Sequence, residues 1–178
     1  MHMTLDNYVN MEDGGENFKW DNEVIAFCVD NLESVDSILL GRKTAEELIP
    51  FWDDVATKPT HSDFALGKRI SELPKTVLSN TLTDPPWKNT SIVSGDMNDE
   101  VMKLKKSAGK DILVYGGASF ATSLIDKNLV DEFYFLLDPF RLGKGISIFK
   151  EIDKVQPFNL LNSMPFPCGT IMLHYHPK

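Results

Sequence analysis

Apolar residues recur three or four positions apart in several segments of this chain, which is the spacing of an amphipathic helix. This spacing predicts a helix over residues 22–33, for which Asp21 or Asn22 is the candidate N-cap. A second predicted helix begins at Thr44 and is ended by Pro50, because proline removes a helical hydrogen bond. Further helices are predicted over residues 63–72, capped by Ser62 or Asp63, and over residues 98–106 and 119–127.

Short apolar runs between the helices predict β-strands. They cover residues 37–40, 76–78, 91–93, 112–115 and 130–137. Strands that alternate with helices form largely parallel sheets, whereas the chain from Ile146 onward shows strands and turns without a helix. We therefore expect an α/β sandwich whose mostly parallel sheet gains antiparallel strands at one edge.

The N-terminal segment is polar and shows no such periodicity. Residues 6–21 are predicted to form a long loop with Gly14 and Gly15 at its middle. Residues 1–5 resemble the end of a strand whose beginning is missing. Because neither an internal repeat nor a low-complexity linker interrupts the sequence, we expect a single domain over residues 1–178 with a truncated first strand.

The chain is acidic, with 18 Lys and Arg against 26 Asp and Glu and a formal net charge of −8. This charge argues against nucleic acid or an anionic membrane as the main partner. The apolar runs are too short to cross a bilayer, and the N-terminal region lacks the apolar stretch of a signal peptide. Two cysteines provide neither a disulfide framework nor a zinc ligand set. We therefore expect a soluble cytoplasmic protein.

Three predicted strand–helix junctions carry groups that suit a phosphate. The first is Gly41-Arg42-Lys43-Thr44, where two cations, a hydroxyl and the N–H groups of a helix start come together. A plain helix start with solvated cations explains the same residues equally well. The second, Ser79-Asn80-Thr81, carries small hydrogen-bonding side chains that ordinary turns also use. The third is Gly116-Gly117-Ala118-Ser119-Phe120, where an apolar strand runs through two glycines into a helix.

Three such junctions in one sheet point to one ligand with several phosphates, such as a dinucleotide. The third junction, however, does not match the G-x-G-x-x-G fingerprint of Rossmann dinucleotide-binding proteins. The sequence also lacks the G-x-x-x-x-G-K-[ST] loop of NTPases. Both of these classes are therefore disfavoured.

The order of these junctions resembles the NADPH-binding series of dihydrofolate reductases, with Leu40-Gly41-Arg42-Lys43-Thr44 followed by Leu78-Ser79 and Gly116-Gly117. A later block is similar instead to the reductase domain of bacterial riboflavin biosynthesis and to the stand-alone proteins of the dihydrofolate reductase family. That block comprises Leu129-Val130-Asp131-Glu132, Pro139, Leu142-Gly143-Lys144-Gly145 and Phe149. The resemblance covers the chain from Thr4 to about His176.

This resemblance implies a dihydrofolate reductase-like three-layer sandwich, in which a mixed, mostly parallel sheet is flanked by helices, and NADPH as hydride donor. Carried over by position, Arg42 would meet the adenosine 2′-phosphate, helped by Lys43 or Ser79. Thr44 would lie by the pyrophosphate, which the third junction would cradle. The implied cofactor-binding residues are Gly41, Arg42, Lys43, Thr44, Ser79, Asn80, Gly116, Gly117, Ala118, Ser119 and Phe120.

The activity implied is an NADPH-dependent reductase that transfers hydride to a small heterocyclic or carbonyl substrate. It would be related to 5-amino-6-(5-phosphoribosylamino)uracil reductase and to dihydrofolate reductase. The alternative is a non-catalytic protein that binds NADP(H) or a nucleotide and retains only the cofactor cleft. Because related reductases are commonly dimers, the resemblance also implies a homodimer.

Two carboxylates are the candidate catalytic groups. Thr4-Leu5-Asp6-Asn7 is similar to a Ser-Leu-Asp-Gly element of the riboflavin-type reductases, and asparagine tolerates the left-handed turn that glycine would adopt there. Asp6 would then line the site, although a turn-forming aspartate explains it equally well. Glu23 lies near Trp20 and Phe27, where dihydrofolate reductases carry the carboxylate that binds pterin. An acid favoured by the helix dipole in a first turn is the alternative for Glu23.

His174 and His176 are two residues apart, so they share one face of a predicted strand. A metal site needs at least a third ligand, and the sequence nearby offers none. We interpret both as ordinary strand histidines and expect no bound metal.

Overall fold

The structure is a computed structural model that describes residues 1–9, 21–107, 109–150, 152 and 154–178. The described residues form eight strands and five α-helices, and Leu32–Ser34 adds a short 3₁₀ turn. In chain order the elements are β1 His2–Thr4, α1 Asn22–Asn31, β2 Val35–Gly41, α2 Arg42–Val55, α3 Phe64–Glu72, β3 Lys75–Leu78, β4 Thr90–Val93, α4 Met97–Lys106, β5 Asp111–Val114, α5 Ala118–Asp126, β6 Phe133–Asp138, β7 Phe158–Pro165 and β8 Ile171–Pro177.

The chain divides into two compact units. One comprises Met1–Asp21 and Ala121–Lys178, and the other comprises Asn22–Phe120. Each unit is built on its own four-stranded sheet. The predicted loop over residues 6–21, with Gly14 and Gly15, lies for the most part outside the described residues. None of the described helices has the length and apolar character that a membrane crossing requires.

The unit Asn22–Phe120 contains an all-parallel sheet with the strand order β4-β3-β2-β5. Its central strand β2 is almost wholly buried, and Ile38, Leu39 and Leu40 are 1–2% exposed. This burial explains why β2 reads as a continuous apolar run rather than an alternating one, since helices cover both faces of a parallel sheet. The predicted parallel arrangement is confirmed for this part of the chain.

Helix α2 corrects one sequence-based expectation. It was predicted to end at Pro50, but it continues to Val55 with Pro50 inside it. An interior proline costs about 3 kcal/mol. The apolar stripe of the helix continues past it, however, and Trp52 and Val55 are 5% and 1% exposed. Burying two such side chains gains roughly 1.5–3 kcal/mol each, which is enough to carry the helix through the proline.

The other unit contains the sheet β1-β6-β8-β7. Strand β1 runs parallel to β6, whereas β8 is antiparallel to both β6 and β7. The antiparallel strands predicted for the C-terminal tail are present, but in the described residues they form a second sheet with β6 and are not added at the edge of the parallel sheet, as was expected. The strand predicted over residues 130–137 begins only at Phe133, which pairs with Tyr175, and it extends to Asp138.

Asp138 is a buried polar anchor of this sheet. Its side chain is fully buried, yet its carboxylate accepts hydrogen bonds, one of them from the Thr170 hydroxyl at 2.8 Å. The His2 ring nitrogen Nδ1 lies 2.8 Å from the other carboxylate oxygen. Because a buried carboxylate is costly without partners, these contacts explain how strand β6 can end in an acid.

Candidate functional site

The three predicted phosphate-friendly junctions meet at one edge of the parallel sheet. Strands β3, β2 and β5 are neighbours, with Gly41 in register with Leu78 and Leu39 in register with Val114. Parallel strands end at the same edge, so the junctions that follow them are adjacent as well. All of them belong to the unit Asn22–Phe120. The structure therefore brings together the groups that the sequence had placed far apart.

Phe120 packs on the glycines of two of these junctions. A Cβ atom at Gly41 would lie 3.1 Å from Cγ and Cδ2 of Phe120. One at Gly116 would lie 3.1 Å from Cδ1 of the same ring. Both glycines are among the predicted cofactor-binding residues, and a glycine in general lets a ligand approach the backbone closely. In the structure the ring of Phe120 fills the space beside both of them, which gives a second reason for a residue without a side chain at these positions.

Thr44 links the start of α2 to the third junction. Its Oγ1 accepts a hydrogen bond from the Gly117 N–H at 2.8 Å, and a Cβ atom at Gly117 would lie 3.2 Å from that oxygen. A hydroxyl that accepts one bond keeps its own proton as a donor. Thr44 therefore fixes the geometry of the edge and retains a group suited to a phosphate oxygen.

The second junction is dominated by turn hydrogen bonds. Ser79 Oγ accepts bonds from the N–H groups of Thr81 at 3.2 Å and Leu82 at 3.0 Å. Asn80 Oδ1 accepts a bond from the Gly95 N–H at 3.0 Å. These contacts favour the turn interpretation for Ser79 and Asn80, since both side chains stabilise the loops that leave the sheet.

Helix α2 carries its charges against its own dipole. Arg42 and Lys43 are its first two residues, and no acid lies in its first turn. Asp53 and Asp54 lie in its last turn, where no base is found. The N-terminus of a helix is equivalent to about half a positive charge, so cations there are unfavourable unless an anion joins them. The two cations at the start of α2 would therefore be stabilised by an external anion.

Helix α4, which begins at the same edge of the sheet, shows the opposite arrangement. Asp96 caps it, and its carboxylate accepts bonds from the N–H groups of Asn98 at 2.8 Å and Asp99 at 3.2 Å. Basic residues lie in its last turn. Helix α4 thus supplies its own anion, and α2 is the helix whose start suits an external one.

Arg42 is held by an ion pair along its own helix. Its Nη1 donates to both carboxylate oxygens of Glu46, at 2.8 and 2.9 Å. The two side chains are 39% and 42% exposed. A pair this exposed stabilises the fold by only about 0–1 kcal/mol, so an incoming phosphate can compete for the guanidinium.

Asp6 fixes a turn in the other unit. Its carboxylate accepts a bond from the Thr4 hydroxyl at 2.6 Å and from the N–H groups of Leu142 and Gly143 at 3.1 and 2.8 Å. These bonds, led by that from Thr4, lower the pKa of Asp6 to about 2. The left-handed turn expected at Asn7 is confirmed by its φ of 65°. An ionised carboxylate with three donors is poorly suited to deliver a proton.

Glu23 is an exposed residue in the first turn of α1. A carboxylate there is stabilised by the positive end of the helix, which favours the structural alternative. Phe27, on the same helix, is partly buried, whereas Trp20 lies outside the described residues. Asp6 and Glu23 belong to different units.

The paired histidines of β8 have partners of their own. His174 Nε2 lies 2.8 Å from Glu132 Oε2, and its ring stacks on Tyr134 with a centroid distance of 4.0 Å. His176 Nδ1 lies 2.7 Å from its neighbouring backbone oxygen, that of Pro177. Among the described residues, no group of three or more His, Cys, Asp or Glu could hold a metal ion.

Comparison with known proteins identifies the family. Residues 1–172 match the RibD C-terminal domain. The chain belongs to the RibD C-terminal domain family. The uncharacterized protein YyaP of Bacillus subtilis is 32% identical over 178 residues, which cover 98% of this chain and 90% of YyaP.

Solved structures share the fold of this RibD C-terminal domain. A putative riboflavin biosynthesis protein from Shewanella sp. PV-4 superposes with a TM-score of 0.73 at 22% identity, covering 100% of this chain and 96% of that one. Dihydrofolate reductase from Enterococcus faecalis, complexed with NADP(H), superposes with a TM-score of 0.63 at 15% identity, covering 99% and 93%. The predicted dihydrofolate reductase-like α/β fold, with mixed sheets flanked by helices, is thereby confirmed.

Sequence reasoning missed two features of this RibD C-terminal domain. The first is Glu46, whose position four residues after Arg42 places it on the same helix face and is a readable signal. The second is the fourth junction at the edge, which leads from β4 through Gly95, with a φ of 138°, to Asp96. An aspartate directly after a glycine and before a helical pattern is a recognisable cap signal.

Proposed function

We propose that this chain is an NADPH-dependent reductase that transfers hydride to a small heterocyclic or carbonyl substrate. The observation that carries this proposal is the reversed charge of α2 at the shared edge of the sheet. Two cations at a helix N-terminus, without an acid in the first turn, are an arrangement that an anionic ligand would stabilise. The NADP(H) complex of the structurally similar E. faecalis dihydrofolate reductase supports this cofactor.

The residues at the edge fit a nicotinamide dinucleotide phosphate. Arg42 and Lys43 would hold the 2′-phosphate, since a guanidinium matches phosphate geometry and an ammonium adds charge. The Thr44 hydroxyl would donate to the pyrophosphate, near the first N–H groups of α2 and α5. When bound, the cofactor supplies the hydride. The described residues would anchor the cofactor through its phosphates and fix its position relative to the substrate.

A binding protein without catalysis is the second candidate. It is favoured by the two acids, because Asp6 is ionised and engaged in a turn and Glu23 is exposed at a helix start. Neither lies in the buried, proton-holding environment that a general acid requires. Such a protein would bind NADP(H) at the same edge without transferring its hydride.

Direct titration tests the cofactor proposal. We expect the intrinsic fluorescence of the protein to report tighter binding of NADPH than of NADH. Arg42→Ala should weaken NADPH binding about tenfold and leave NADH binding nearly unchanged, because a charge-assisted bond to phosphate is worth about 1.5 kcal/mol or more. Lys106→Ala is the matched control, since it removes one cation from the far end of α4. An Arg42→Ala protein with an unchanged preference for NADPH would refute the assignment.

A second assay separates the two candidates. Loss of the near-ultraviolet absorbance of NADPH is followed with dihydrofolate and with pyrimidinedione substrates. Consumption of NADPH with either substrate class supports the reductase. Tight NADPH binding without consumption in either supports the binding protein, and absence of NADPH binding rejects both.

A further inference from the structure

Glu46 lies where it would oppose the phosphate that Arg42 is proposed to bind, and this inference rests on the proposed function. Its carboxylate contacts Nη1 of Arg42 with both oxygens, at 2.8 and 2.9 Å. It therefore lies within one side chain's length of any anion on that guanidinium. A negative charge at this distance repels a phosphate and also occupies one of the guanidinium donors.

Stability alone does not account for this pair. In a helix an acid that precedes a base by four residues is the better order, and here the base comes first. Glu46 lies beyond the first turn of α2, so it offsets the helix dipole less than a first-turn acid would. Both side chains are also well exposed, at 39% and 42%. The pair is therefore weak enough to be exchanged for a ligand.

We propose that Glu46 is a specificity-determining residue that competes with the 2′-phosphate of the cofactor for Arg42. The carboxylate weakens the binding of NADPH and leaves NADH, which lacks that phosphate, unaffected. Glu46 thereby reduces the preference for NADPH over NADH that Arg42 creates. Removal of the Glu46 charge would increase that preference again.

The test compares Glu46→Gln with Glu47→Gln by fluorescence titration against NADPH and NADH. Glutamine keeps an oxygen that can accept from Arg42, so this substitution removes the charge while retaining a positioning contact. Glu47 is the neighbouring exposed acid on α2, and its substitution changes the net charge equally. We expect Glu46→Gln to tighten NADPH binding about two- to fivefold with NADH unchanged, and Glu47→Gln to change neither.

Each outcome decides one of the two proposals. A wild-type protein that fails to bind NADPH rejects the proposed function and this inference with it. A wild-type protein that prefers NADPH, together with a Glu46→Gln protein that binds it equally or more weakly, overturns the role of Glu46 alone. The gain should also disappear in an Arg42→Ala background. If Glu46→Gln still tightens NADPH binding in that background, the effect comes from the change in net charge. The proposed competition for Arg42 would then be wrong.

Glutamine and glutamate are both good helix formers, so the Gln variants are expected to fold. Circular dichroism confirms this before titration. Raising the salt concentration should shrink the advantage of Glu46→Gln, because exposed charges are screened.

Discussion

Asp6 is a candidate catalytic residue whose carboxylate is engaged in a turn. It lies in a short element similar to one in reductases, and aspartate is a frequent general acid. In the structure its carboxylate holds Leu142 and Gly143, whose N–H groups lie 3.1 and 2.8 Å away. Gly143 adopts a φ of 78°, which glycine tolerates better than other residues. Asp6 therefore stabilises a turn that depends on a glycine at position 143.

The lowered pKa of Asp6 gives a pH-dependent test. A depressed carboxyl pKa contributes stability above its ordinary value of 3.8, and this is lost as the pH falls through the folded-state value of about 2. We expect Asp6→Asn to lower the melting temperature at neutral pH. The difference from wild type should shrink between about pH 4 and pH 2 and then vanish.

Circular dichroism melts at several pH values measure this difference. The control is Asp84→Asn, which alters an exposed aspartate elsewhere in the chain. If Asp6→Asn and wild type lose stability in parallel over that pH range, the three hydrogen bonds do not hold an ionised carboxylate.

The conformation of some of these residues could be predicted from the sequence, but the contacts of others could not. Asn7 could be placed in a left-handed turn because the tolerance of asparagine for that conformation is local. The donors to Asp6 could not be predicted, since Leu142 and Gly143 lie more than a hundred residues away along the chain. The bond between Gly117 and Thr44 could not be predicted either, because these residues lie 73 positions apart in the sequence. Contacts that depend on which strands become neighbours are not encoded in any local pattern.

At the scale of elements, periodicity predicted the helices well and their ends less well. Helix α4, predicted over residues 98–106, begins one residue earlier at Met97, where Asp96 caps it. Helix α2 was cut short at Pro50, because a local penalty was weighed without the burial of Trp52 and Val55 that offsets it. Element ends are decided by such tertiary gains.

Helices α2 and α3 pack through a glycine. A Cβ atom at Gly67 would lie 2.6 Å from Cγ1 of Val55, a stiff β-branched side chain that is 1% exposed. Alanine would gain about 1 kcal/mol of helix propensity. Overpacking a rigid core typically costs about 1–3 kcal/mol. We therefore expect Gly67→Ala to destabilise the protein by up to about 2 kcal/mol, measured by urea unfolding.

Lys68→Ala is the matched control for this substitution, since it places alanine at the next, exposed position of α3. It should change the free energy of unfolding by less than about 0.5 kcal/mol. A Gly67→Ala protein as stable as this control would show that Val55 can move aside.

At the scale of the whole molecule, one helix belongs to both compact units. The division falls between Phe120 and Ala121, inside α5. A helix of nine residues is marginal in isolation, so loss of either part leaves the remainder without support. We expect the chain to unfold in a single cooperative transition, as a single domain does.

Differential scanning calorimetry tests this expectation. The calorimetric enthalpy should equal the van't Hoff enthalpy in one symmetric peak. Two resolved peaks, or a calorimetric enthalpy well above the van't Hoff value, would show that the units unfold independently.

The packing of Phe120 on Gly41 and Gly116 affects which residues can change during the evolution of related sequences. While the ring is present, a side chain at either glycine is opposed by a contact of 3.1 Å, whether or not a ligand binds. In a descendant that lost its cofactor, either glycine could change only if the ring of Phe120 shifted by a few tenths of an ångström. Arg42 and Lys43, exposed to different degrees and not required by the core, would be free to change first. In relatives of this chain, the cations at the start of α2 should therefore be a better marker of a working site than the glycines.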